Sequence, residues 1–162
     1  MFIILLALVL LGWAVHLWRS PSRSLERAGE LLLLWVLVGY CGIPMLAVAG
    51  IFLIHPHEVA HILGFEPDHP FGLFLAWAYL GMAIIATLSL RFRETYLVGP
   101  AVVWAVFFAG ATLAHVSAEG GVAQMGHGGL LVIFAAHGLI SVLLAGGLWA
   151  SGIGRDRGPR RT

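Results

Sequence analysis

The chain has 162 residues, of which 60% are hydrophobic and only 10% charged, and its mean hydropathy is +0.94. Nine basic residues, all arginine, against eight acidic ones leave a net charge of +1, so no nucleic-acid partner is expected. Too few polar groups exist to cover a soluble domain, and the single cysteine, Cys41, excludes an internal disulfide or a multi-cysteine metal site.

Apolar segments follow one another at about residues 2–18, 31–54, 71–90, 96–115 and 129–150. Each is long enough for one bilayer crossing at 1.5 Å per residue, and in hydrocarbon a helix satisfies its own backbone. The expectation is an all-α integral membrane helical bundle: one domain over 1–162, five transmembrane helices and a basic tail at 151–162. The first segment lacks a basic leader and a small-residue cleavage site, so it reads as a retained helix. Pro44 is predicted to bend the second helix, whereas Pro100 falls in the first turns of the fourth and is tolerated there.

The connections carry the orientation. Arg19, Arg23 and Arg27 lie between the first two segments, Arg91 and Arg93 between the third and fourth, and Arg155, Arg157, Arg160 and Arg161 after the fifth. An odd number of spans puts all of them on one side, which predicts the N-terminus outside and the C-terminus in the cytoplasm. Trp18, Trp35, Tyr96 and Trp149 then fall near the cytoplasmic boundary, where amphipathic rings prefer to sit.

The opposite face collects histidines. His55, His57, His61 and His69 fall between segments two and three, His115 ends segment four, and His127 follows it. His137 lies about eight residues into segment five, roughly 12 Å below the surface at the helical rise. Within this set His57-Glu58-Val59-Ala60-His61 spells H-E-x-x-H. A short helix over about 56–63, opened by Pro56 and closed by Gly64, puts His57 and His61 on one face. That geometry suits two zinc ligands with Glu58 as general base, and equally the wet face of an amphipathic surface helix. A catalytic zinc needs a further ligand, and no acidic motif follows in a later span, so no catalytic residue is assigned and the peptidase is the weakest alternative. His57 and His61 stay as candidate metal ligands.

His115 and His137 are the candidate cofactor ligands, for haem, copper or zinc, because ionisable groups in spans often mark function. The plainer reading is a packed His137 hydrogen-bonded to a carbonyl or to Ser141. Gly110 and Ala114 form a small-x-x-x-small pair that admits a neighbouring helix. Trp77, Tyr79, Gly81 and Met82 of the third segment read as packing. No carboxylate lies within a span, which argues against a proton or ion pump.

Glu58-Val59-Ala60, Leu63-Gly64-Phe65, Pro67, Pro70-Phe71, Leu80-Gly81, Phe107, Gly110-Ala111 and His115 together resemble a group of small bacterial multi-pass membrane proteins of uncharacterised function. The resemblance covers about residues 52–115. It implies that Glu58-Val59-Ala60 belongs to a surface helix and gives weight to His115. The N-terminal span and His137 depart from the pattern.

Three functions are expected from these residues. The first is a non-catalytic accessory or structural subunit, set in the lipid bilayer against partner subunits of a larger membrane complex. The second is a metal- or haem-binding membrane protein, and the third an H-E-x-x-H membrane zinc protease.

Overall fold

The computed structural model describes residues 2–62, 70–117 and 133–153, and among them every regular element is helical. Helix α1 is Phe2–Arg19, α2 is Leu25–Ile54 and α3 is the short Pro56–Ile62. Helix α4 is Phe71–Leu90, α5 is Glu94–Ser117, and a π-helical turn at Phe134–Gly138 leads into α6, Leu139–Ser151. Helices α1, α2, α4 and α5 are each long and apolar enough to cross a membrane; Ala136–Ser151 is apolar but shorter. The start of the fifth expected segment, 129–132, lies outside the described residues, as do Leu63, Gly64 and the basic tail from 154 onward.

The second helix begins at Leu25 rather than at 31. Ser24 caps it, its hydroxyl oxygen accepting the Arg27 backbone N–H at 3.2 Å. Arg27 and Glu30 pair at 2.7 Å on the first turns, so charged residues ride on the end of a helix whose apolar run starts later. Pro44 does not end this helix. Just before it the helix widens into a π-helical turn, Leu37–Gly42, where the Ile43 N–H reaches back five residues to the Val38 carbonyl. Pro44 has no N–H to offer the Tyr40 carbonyl, and the wider turn falls where that bond is missing.

Helix α2 is the axis of the bundle: 56% of its spanning window is buried against 11% for α1. It packs on α1, α4 and α6. Leu33, Val36, Leu37, Tyr40 and Cys41 are completely buried, an apolar stripe at i, i+3, i+4, i+7 and i+8 that faces the core. Aromatic tips tie the outer helices on. Trp13 Nε1 donates to the Ala28 carbonyl at 3.0 Å, Trp104 Nε1 to Met82 at 3.1 Å, and Tyr96 OH to Ile85 at 2.9 Å. Each packs a large ring, fully buried in Trp104 and partly in Trp13 and Tyr96, while satisfying its polar end.

Helices α2 and α6 run antiparallel and touch most closely where side chains are smallest. A Cβ on Gly29 would meet the Ser151 backbone nitrogen and lie 2.8 Å from the Ala150 carbonyl carbon. A Cβ on Gly147 would lie 3.0 Å from the Leu33 side chain. Gly147-x-x-x-Ser151 is therefore the small-residue surface that brings these backbones together.

One end of the bundle gathers three chain connections around an open cleft of about 630 Å³. It is lined by Ser24, Arg27 and Glu30 near the start of α2, Glu94 at the start of α5, and Ser151 and Ile153 at the end of α6. Arg19, Arg23 and Arg27 thus share an end with Arg91 and Arg93, the grouping expected from their place in the sequence.

Candidate functional site

The other half of the bundle is built around two π-helical turns that face each other. Tyr40, in the turn of α2, donates its hydroxyl to the Ala136 carbonyl, in the turn before α6, at 2.9 Å. A π-helical turn shifts the regular backbone bonding and exposes carbonyls, so such turns recur at functional sites. Beside this bond lies a cavity of about 280 Å³ lined by Tyr40, Phe2, Phe52, Tyr79, Phe108 and His137, among others.

The rings form a continuous array. Trp104 stacks on Phe108 at 5.2 Å between centroids, and Phe108 lies against Tyr40 at 6.0 Å and His137 at 5.5 Å. Tyr79 meets Phe52 at 5.8 Å and Phe107 at 5.4 Å. The His115 and His137 imidazoles lie 5.5 Å apart with their planes within 15°. The two candidate cofactor ligands, 22 residues apart by their numbers, are therefore neighbours. His115 is exposed, His137 half-buried.

Of the two partners expected for a packed His137 ring, a carbonyl or Ser141, neither bonds its Nδ1. The Ser141 hydroxyl instead donates to the His137 backbone carbonyl at 3.2 Å, the usual route for a serine inside an apolar helix. The His137 Nδ1 is buried and has no hydrogen-bonding partner among the described residues.

The H-E-x-x-H residues sit elsewhere. In α3, Val59 is buried against the bundle, while His57, Glu58 and His61 are exposed. His55 Nδ1 lies 3.5 Å from Glu58 Oε1. The Glu58 carboxyl is held below the usual glutamate range, first by the backbone N–H of Glu58 itself and then by His55. Among the described residues no three histidine, cysteine, aspartate or glutamate side chains gather as a metal ion would require. His69 and His127 lie outside the described residues.

Sequence reasoning passed over Tyr40. The available signal was a phenol hydroxyl in the middle of a long apolar run, flanked by Gly39, Gly42 and Pro44; a polar tip so placed must find a partner. The residues read as packing in the third span divide. Tyr79 and Met82 pack on the core, Trp77 is 59% exposed, and a Cβ on Gly81 would meet nothing. Gly110 and Ala114 are both exposed, and a Cβ on Gly110 would also meet nothing within 4 Å.

An all-helical bundle with four helices of membrane-crossing length and apolarity defines the class. Within it, the chain belongs to a family of unknown function, DUF6790, whose model matches residues 1–155. That match takes in α1, which the resemblance over 52–115 left aside. No curated protein and no solved structure matches the chain.

Proposed function

We propose that the chain is a five-span subunit of a bacterial inner membrane, with its N-terminus outside and its arginine-rich end in the cytoplasm. It works without catalysis, by packing against a partner chain within the bilayer. The observation that carries this reading is the outward face of α5. Val106, Gly110, Leu113 and Ala114 point away from their own bundle, with Val106 and Leu113 68% and 65% exposed. Lipid demands no glycine, whereas a second helix gains close backbone approach from a small-x-x-x-small pair. The grouping of Arg19, Arg23, Arg27, Arg91 and Arg93 at one end supports the orientation.

Cross-linking in native membranes tests it. Cysteine at Ala114 is expected to capture one defined chain, and cysteine at Val142, an exposed position on α6, is not. Gly110→Leu is expected to release that chain on purification. A homogeneous protein that purifies alone, with the same cross-links from both positions, overturns the subunit reading. A reporter fused after Thr162 that reads as periplasmic overturns the orientation.

The approach of His115 to His137 supports a second reading, a metal or haem held by these two residues. A visible absorption spectrum and elemental analysis of gently solubilised protein decide it. Stoichiometric metal or a haem absorption band that disappears in His115→Ala and His137→Ala would establish the site; unchanged content in both variants removes it.

A further inference from the structure

We infer that the cavity between the two π-helical turns binds the head group of a lipid-soluble quinone. Its size suits one ring. At about 280 Å³ it exceeds the ~150 Å³ of an engineered cavity that takes up benzene, leaving room for ring substituents. A porphyrin, several times larger than a benzene ring, does not fit inside it. Its walls suit a flat ring: Tyr79, Phe52, Tyr40 and Phe108 line it from three helices, and aromatic pairs gain beyond their buried area when offset or edge-on.

The polar groups suit a carbonyl-bearing ring. His137 lines the cavity, and its buried Nδ1 has no hydrogen-bonding partner among the described residues. A neutral imidazole carries its proton on one of two nitrogens, so His137 can supply an N–H to a quinone oxygen once its ring turns toward the cavity; in the structure Nδ1 itself is covered. The Tyr40 hydroxyl is already committed as a donor to Ala136, which leaves its oxygen able only to accept and makes His137 the donor that orients the ring. Ligand pockets of this kind, mostly apolar with a few placed polar groups, are the usual form of small-molecule sites.

The rim suits a molecule with an apolar tail. Ile51 lines the cavity and is also 56% exposed on the apolar flank of α2. The cavity therefore reaches the lipid-facing surface, and a tail can remain in hydrocarbon while the head occupies the ring-lined space. A water-soluble metabolite gains nothing from such an exit. The inference concerns binding alone and stands apart from the subunit reading.

The test uses the full chain in lipid nanodiscs and a decyl-substituted benzoquinone, with decanol as the tail-only control. Saturable binding of the quinone is expected, weakened at least tenfold by His137→Phe, which keeps a flat ring and removes both nitrogens. Val48→Trp, which fills the cavity from α2, is expected to abolish it and serves if His137→Phe does not fold. Binding that rises without saturation, equals that of decanol, or survives Val48→Trp unchanged overturns the proposal.

Discussion

The same two helices, α2 and α6, meet in two different ways along their length. Toward the arginine-rich end Gly29, Gly147 and Ser151 let the backbones come together, with no room for an added methyl at Gly29. Toward the other end each helix widens into a π-helical turn, and the Tyr40–Ala136 hydrogen bond spans the gap beside a ring-lined cavity. The difference has a physical cause. Without a hydrophobic drive between helices in lipid, contact must come from close packing or from interhelical hydrogen bonds. The first half uses small residues for packing. The second cannot pack regularly around Pro44 and uses one hydrogen bond and a set of rings instead. The first half fixes the pair, which frees the second to hold a space.

Breaking the close-packed half has the largest expected effect. Gly29→Leu drives a branched side chain into the backbone of α6 at Ala150 and Ser151. Overpacking of this kind costs about 1–3 kcal/mol, and here falls at the upper end because backbone, not a flexible side chain, must yield. The thermal midpoint in mild detergent is expected to fall sharply, and Cys41, fully buried in the wild type, to become open to maleimide. An unchanged midpoint with Cys41 still protected would mean that α2 and α6 do not meet at Gly29.

Breaking the open half has a smaller effect. Tyr40→Phe keeps the ring against Phe108 and removes only the bond to Ala136. Interhelical hydrogen bonds in membranes average about 0.6 kcal/mol and reach about 1.7; a buried carbonyl left unpaired places this one near 1 kcal/mol. Hydrogen exchange at the turn around Phe134–Gly138 is expected to quicken while the amides near Gly147 stay protected. Equal quickening at both places would show that the two halves are one cooperative unit.

A third substitution gives the baseline for both. His57→Ala with His61→Ala changes two exposed side chains on α3, and surface changes of this sort stay within about 0.5 kcal/mol. A shift in midpoint comparable to that of Tyr40→Phe, and its disappearance when metal is chelated, would show that these histidines hold something after all.

How much of this was readable beforehand follows from what each signal depends on. Helix positions depend on local apolarity, so α1, α4 and α5 fall where their segments predicted, within a few residues. The start of α2 moved to Leu25 because a helix ends at its cap, Ser24, and not at the edge of its apolar run. The meeting of His115 and His137 was open to sequence only as a shared face; their approach depends on how α5 lies against the turn before α6. The π-helical turns were signalled at Pro44 alone. At Phe134–Gly138 no proline stands, and the Tyr40 hydroxyl that bonds this turn comes from across the bundle, a long-range partner that no local pattern reveals.

The smallest effect is a titration at Glu58, on the exposed side of α3. Its carboxyl lies below the ordinary glutamate value, mainly through the backbone N–H of Glu58 and less through His55. For a group whose folded value is depressed, the stabilisation is present above the unfolded pKa and disappears as pH falls through the folded one. Because Glu58 is exposed, global stability hardly registers this, and carbon-13 NMR of the carboxyl is the proper reading. The midpoint is expected below that of free glutamate in the wild type, and to rise only part of the way in His55→Ala, since the larger cause is untouched. A full return to the ordinary value in that variant would put the weight on His55. A wild-type midpoint at or above that value would mean that α3 does not form as a helix, and the shared face of His57 and His61 would go with it.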